Sequence, residues 1–150
     1  ADRRLRERHA DGRGVSVSPS RLAVAAVALL GAVNLARGAI HLFAPDGGAA
    51  SIAGLDLSGA PQTILFLFAS LGVGQIALGL ADAAAAWRWH GFVTPLLLIH
   101  TVQAGLGVFV LFVFKPPPTE VPGQWFNLAV LIALVLVAAL ELVRIRRHAV

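Results

Sequence analysis

Four long apolar stretches dominate the chain, separated by short segments rich in polar residues, glycine and proline. They cover residues 22–43, 62–81, 92–114 and 126–143. Each is close to the roughly 20 residues that an α-helix needs to cross about 30 Å of hydrocarbon. The pattern therefore predicts an all-α integral membrane protein, a four-helix bundle whose helices run up, down, up and down.

The segments between the stretches contain residues that end or begin helices. Pro45, Gly47 and Gly48 follow the first stretch, and Pro61 stands just before the second, where a missing N–H costs no helical hydrogen bond. Three consecutive prolines at 116–118 stop the third stretch. These positions favour four separate helices over fewer, longer ones.

The beginning of the chain differs from the rest. Residues 1–20 contain five arginines but no sustained apolar periodicity, which predicts a flexible basic tail on the cytoplasmic side. Residues 21–150 are predicted to form one transmembrane domain, because the four stretches leave little chain for a separate soluble domain.

The composition agrees with this pattern. The chain is 57% hydrophobic and only 13% charged, which is far from the balance of soluble domains. It contains no cysteine, so disulfides and thiolate chemistry are excluded. The net charge of +4 does not indicate nucleic-acid binding, because the basic residues flank apolar stretches and do not form a patch with aromatic residues. We therefore expect the lipid bilayer, and no nucleic acid, as a partner.

Positive charges are distributed unevenly between the two ends of the predicted helices. Ten of the 12 Lys and Arg residues lie before the first stretch, in the short loop at Arg88, or after the fourth stretch, whereas the other two loops hold only Lys115. The positive-inside rule then places both termini in the cytoplasm. Abundant Ala, Val and Arg with a single Lys is typical of a high-GC bacterial coding sequence, so we expect a multi-pass protein of a bacterial cytoplasmic membrane.

Polar side chains inside the apolar stretches share helix faces with small residues, as the helical repeat of 100° per residue shows. Those of the first stretch lie in phase with two glycines, and the one in the second lies in phase with Gly72, Gly79 and Asp82. In the third stretch, His100 lies in phase with Gln103 and Gly107. Such faces are expected to meet other helices and not lipid. The candidate ligand-binding residues are Asn34, Arg37, His41, Gln75, His100 and Gln103.

The depth of these residues follows from counting along each stretch. At about 1.5 Å per residue, all but Arg37 and His41 fall roughly 14 to 21 Å below the outer boundary, near the midplane. Arg37 lies about 9 Å deep and His41 close to the outer surface, by the same rise.

Two interpretations of this polar cluster stay open. In the structural one, the amides and imidazoles hydrogen-bond between helices, glycines allow close approach, and Arg37 extends to the outer headgroups. In the functional one, the side chains line an outward-facing pocket for a lipid or a small anion. Arg37 is the only charged residue well inside a predicted span, and no carboxylate is expected at its depth, so an anionic ligand would supply its counter-ion.

A third interpretation, a haem ligated by His41 and His100, is disfavoured by their depths, which differ by about 10 Å along the membrane normal. No cofactor is therefore predicted. Ser70 is the only serine within a predicted span, and nucleotide-binding and zinc motifs are absent from the sequence. Accordingly, no catalytic or metal-binding residue is predicted, and the sequence gives no support for an enzyme.

The layout resembles that of other small bacterial four-helix membrane proteins, a resemblance of topology that transfers no active site. The leading functional prediction is a structural or accessory subunit that packs against itself, as a homo-oligomer, or against a larger membrane complex. The alternative is a binding or transport protein that takes a lipid or a small anion through the outward-facing pocket.

Overall fold

The computed structural model describes residues 18–117 and 120–148, and this part of the chain is helical between its connecting loops. Across these two ranges the structure has no strand, so the prediction of an all-α protein is confirmed. The four helices are α1 at Arg21–Phe43, α2 at Pro61–Trp87, α3 at Val93–Phe109 and α4 at Gln124–His148.

All four helices are long and apolar enough to cross a membrane. A 3₁₀ turn at His90–Phe92 precedes α3 and a π-helical turn at Val110–Phe114 continues it, so the third span is His90–Phe114. These lengths indicate a multi-pass membrane protein. The predicted tail at 1–20 lies outside the described residues except for 18–20.

The second and fourth helices are longer than the sequence predicted. Beyond residue 81, α2 continues to Trp87, because the residues after Asp82 are alanines, the strongest helix formers. Likewise, α4 begins at Gln124 and continues to His148. As a result Asp82 and Glu141 lie well inside helices, although hydropathy alone placed the carboxylates near the ends of the spans.

Glycines bring α1 and α2 into close contact. A Cβ atom on Gly38 would lie 2.8 Å from the carbonyl oxygen of Gly72, and one on Gly79 would lie 2.9 Å from that of Gly31. Because any side chain at these positions would clash, the four glycines allow the two backbones to touch. The earlier glycine of α1 meets the later glycine of α2, so these two helices run in opposite directions.

The apolar core lies at one end of the bundle. Its members come from the beginning of α1, the end of α2, the beginning of α3 and the middle of α4. All four helices therefore pack together at the end where Arg21 and Arg144 are found. The buried core residues are Ala23, Val27, Ala85, Val93, Leu97, Leu134 and Ala138.

A hydrogen-bonded cap joins the start of α1 to the end of α4. The side chain of Ser20 accepts a hydrogen bond from the backbone N–H of Ala23, as an N-cap residue does. The backbone N–H of Ser20 in turn donates to both carboxylate oxygens of Glu141, at 3.1 and 3.2 Å. Arg144 donates to Glu141 at 3.1 Å and also to the carbonyl of Ser18. This cap fixes the first residues of α1 against α4.

Candidate functional site

A buried acid and a buried imidazole meet between α2 and α3. The Nε2 atom of His100 lies 2.9 Å from each carboxylate oxygen of Asp82. Asp82 is fully buried and His100 is only 5% exposed. Because the carboxylate accepts, the imidazole Nε2–H donates, and one donor is shared between two acceptors. Ionisable side chains buried inside a membrane-spanning helix are costly unless they pair, so each of these two groups supports the burial of the other.

Asn34 adds α1 to the same cluster. Its amide nitrogen donates to Oδ2 of Asp82 at 3.4 Å. Gly31, one turn earlier on α1, makes room for this approach, because a Cβ there would lie 2.8 Å from the Cβ of Asp82. The three side chains therefore connect three helices through one carboxylate, and we call Asn34, Asp82 and His100 the central polar cluster.

The structure brings together only part of the predicted site. Asn34 and His100, two of its six residues, converge on Asp82, which lies in phase with Gln75 but is not among the predicted site residues. The signal that would have included Asp82 is the alanine-rich run after it, which extends α2 and carries the carboxylate into the bundle. Since the centre of the cluster is acidic, it does not suit an anionic ligand.

His41 lies at the α1–α2 interface, and Gln75 lies on α2 one turn from Gly72 and Gly79; both are outside the central polar cluster. The Nδ1 atom of His41 lies 2.7 Å from the carbonyl oxygen of Gly47, so Nδ1 carries the proton and a neutral ring presents Nε2 as an acceptor. The ring of His41 also contacts Phe68 edge-on, with centroids 5.1 Å apart. Within the described ranges, Nε2 of His41 and Oε1 of Gln75 are buried without hydrogen-bond partners. These two atoms can accept hydrogen bonds from a ligand.

His41 and His100, the two histidines of the haem interpretation, are far apart. His41 lies beside Gly72, since a Cβ on that glycine would be 3.0 Å from the Cβ of His41. His100 is hydrogen-bonded to Asp82, ten residues further along α2. Ten residues of α-helix correspond to about 15 Å, so one haem iron does not reach both imidazoles.

Arg37 and Gln103 lie on the outside of the bundle. Arg37 forms no ion pair with any residue in the described ranges. Gln103 is exposed in a shallow groove on α3 whose other lining residues are Leu98, Ile99, Val102 and Leu106. The expectation that Gln103 points into the bundle is therefore wrong. Its helical phase with His100 is only approximate, and three residues of rotation carry its side chain past the edge of the buried face.

The loop after α1 is ordered by Asp46. Its carboxylate accepts hydrogen bonds from the backbone N–H of Ser51 at 2.7 Å and of Gly48 at 3.0 Å. These bonds lower the pKa of Asp46 from 3.8 to about 2, and the bond from Ser51 has the largest effect. Gly47 and Gly48 adopt positive φ angles of 59° and 76°, which glycine tolerates best. The result is a compact turn that presents the carbonyl of Gly47 to His41.

Comparison with protein-family models, with curated proteins and with solved structures finds no match to this chain. A role for this chain is therefore inferred from the contacts and charges of its own residues.

Proposed function

We propose that this chain is a small accessory subunit of a bacterial cytoplasmic membrane, an up-down-up-down four-helix bundle with both termini in the cytoplasm. The observation that carries the proposal is that some polar side chains of the predicted spans bond to one another inside the bundle, whereas others lie on its outside. Asn34, Asp82 and His100 bond to one another inside the bundle. Arg37 and Gln103 lie on its outside, where another membrane component is needed to satisfy them.

Helix contacts and charge support the proposed topology. Besides the antiparallel contacts of α1 and α2, the ring of Phe112 at the end of the third span lies 5.3 Å from that of Trp125 at the start of α4. A short loop that includes Arg88 joins α2 to the third span. Ten of 12 basic residues fall on the side of the two termini and this loop, which the positive-inside rule assigns to the cytoplasm.

Reporter fusions test this topology. A reporter active only in the cytoplasm should be active after Val150 and in the loop at Arg88, whereas one active only outside should be active in the loop at Ser58. Activity of the external reporter at Val150 would overturn the orientation or the number of spans.

Mass spectrometry of the intact protein, extracted in a mild detergent, tests the subunit role. We expect bound partner chains, and we expect the double variant Arg37→Gln/Gln103→Leu to lose them while it remains in the membrane. Ser70→Leu is the matched control, because Ser70 is also a polar residue exposed on the outside of a spanning helix. A parent protein that is always a single chain, in native membranes as well as in detergent, would overturn the proposal.

The second candidate function is binding or transport of a lipid or a small anion at the outer side. The specific observation in its favour is Arg37, an exposed cation about 9 Å from the end of α1 by helical rise that has no counter-ion in the described ranges. It ranks second because Asn34 and His100 bond to a carboxylate, which repels anions. Analysis of co-purified lipid in Arg37 variants separates the two candidates.

A further inference from the structure

The face of α3 that points away from the other helices carries one polar side chain at the middle of the membrane. Gln103 lies 13 residues from the start and 11 from the end of the span His90–Phe114, so at least about 16 Å of helix separates it from either boundary. A glutamine side chain is too short to reach the headgroups from that depth. In a lone bundle its amide would therefore face hydrocarbon, where an unpaired donor and acceptor are costly.

The surroundings of Gln103 suit a packed helix. Three apolar neighbours on the same face are strongly exposed: Ile99 by 53%, Val102 by 62% and Leu106 by 61%. Gly107 follows one turn after Gln103, and a Cβ added there would meet nothing within 4 Å. A small residue beside a polar one allows a second helix to approach closely enough for the amide to bond across the interface.

We propose that α3 is the homodimer interface of this protein, with Gln103 of one chain hydrogen-bonded to Gln103 of a second copy. This inference rests on the proposed function and names the partner. A primary amide carries both a donor and an acceptor, so two copies related by a two-fold axis satisfy each other through one self-complementary contact. The apolar residues around the amide then pack against their own counterparts, and the interface closes as a dimer.

Cysteine cross-linking provides the test, because the natural chain has no cysteine. Leu106→Cys introduces a thiol on the α3 face, and Leu136→Cys introduces one on α4 as a matched control, since the two leucines are 61% and 59% exposed. In membranes that contain this chain at low density, we expect oxidation to give a disulfide-linked dimer with Leu106→Cys and little with Leu136→Cys. Equal yields at the two positions would overturn the proposal.

A second set of variants tests the amide itself in the Leu106→Cys background. Gln103→Leu should reduce the cross-linked dimer about tenfold, a loss of about 1.4 kcal/mol. Gln103→Asn, which keeps the amide, should retain most of it, and Ser70→Leu on α2 should have no effect. An unchanged dimer yield with Gln103→Leu would show that the amide does not hold the interface.

Reporter fusions and mass spectrometry of the parent protein together separate failure of this inference from failure of the proposed function. A chain with the correct topology that binds a different partner, and never a second copy, contradicts only the homodimer, whereas a protein that is always a single chain, or one with the wrong topology, contradicts both. If Leu106→Cys cross-links to a different chain and never to itself, α3 is an interface but not with a second copy, and the inference is wrong.

Discussion

The Nε2 atom of His100 lies 2.9 Å from both carboxylate oxygens of Asp82, and this buried contact joins α3 to α2. Asp82 lies on the glycine-packed α1–α2 pair and His100 on α3. Asn34 on α1 donates a hydrogen bond to the same carboxylate. The pair is therefore expected to hold the helices in one arrangement, as buried polar groups do when each has its partner.

Removing both members of this pair should cost less than the sum of the two single removals, because each single removal leaves the other side chain buried without its partner. We expect Asp82→Leu to reduce the free energy of unfolding by about 3 kcal/mol, because it leaves His100 buried without its acceptor. The double variant Asp82→Leu/His100→Leu should lose less than the two single losses together. Reversible unfolding in bicelles measures these values, with Ser70→Leu as a control on the exposed face of α2. Strictly additive losses would show that the two side chains act independently.

The glycine contact between α1 and α2 gives a second prediction. A Cβ on Gly38 would lie 2.7 Å from a side-chain carbon of Ile76 and 2.8 Å from the carbonyl oxygen of Gly72. Gly38→Ala should therefore destabilise the protein by about 1 to 3 kcal/mol, since the helices must separate to admit the methyl group.

Gly74→Ala is the matched control for Gly38→Ala. It also replaces a glycine inside a helix of this pair, but a Cβ at Gly74 meets nothing within 4 Å. This variant should be neutral or stabilising by up to about 1 kcal/mol, because alanine favours helix. Thermal unfolding in the same detergent compares the two variants. Equal effects would mean that helix propensity, and not the close contact, decides the outcome.

The spans were predictable because hydropathy over some 20 residues is a strong signal, and the glycine faces of α1 and α2 were predictable from helical phase. Asp82 and Glu141 were missed for one shared reason. Hydropathy falls at a carboxylate, which draws the predicted boundary towards it, whereas each of these carboxylates continues a helix and is buried by partners distant in sequence. For Glu141 the partner distant in sequence is the backbone N–H of Ser20, which no side-chain pattern reveals, although the neighbouring Arg144 also donates to its carboxylate.

The exposure of Gln103 could not be predicted from the sequence for a different reason. Phase alone placed it with His100, but whether a face near the edge of the buried surface meets a helix or lipid depends on how the neighbouring helices tilt. That tilt depends on contacts made by the other helices, so the sequence of α3 alone does not determine it.

The ordered turn after α1 should depend on pH through Asp46. Its pKa is lowered from 3.8 to about 2 by the N–H donors of Ser51 and Gly48, so the folded loop favours the ionised carboxylate. The stabilisation is fully present above about pH 4 and is lost as the pH falls through about 2.

Hydrogen exchange of the Gly48 and Ser51 amides, corrected for the intrinsic effect of pH, measures this change. Both amides should be protected at pH 5 and lose protection towards pH 2. Asp46→Ala should abolish protection at pH 5 and leave no pH dependence. Protection that is the same at both pH values in the parent protein would show that the carboxylate does not order the turn.

Arg37 should matter for bound lipid or partner more than for folding. Its guanidinium is exposed and forms no ion pair in the described ranges, so its removal leaves no buried group unsatisfied. We expect Arg37→Gln to reduce the co-purifying anionic lipid or partner about tenfold, the loss of one or two charge-assisted hydrogen bonds, with little change in thermal stability. Arg37→Lys should restore only part of the binding, because an ammonium does not reproduce the planar, two-point contact of a guanidinium.

Arg88→Gln, which removes an exposed cation from the opposite side, is the control and should leave the bound material unchanged. If binding is the same in the parent and in both Arg37 variants, the arginine only extends to the headgroups and has no functional role.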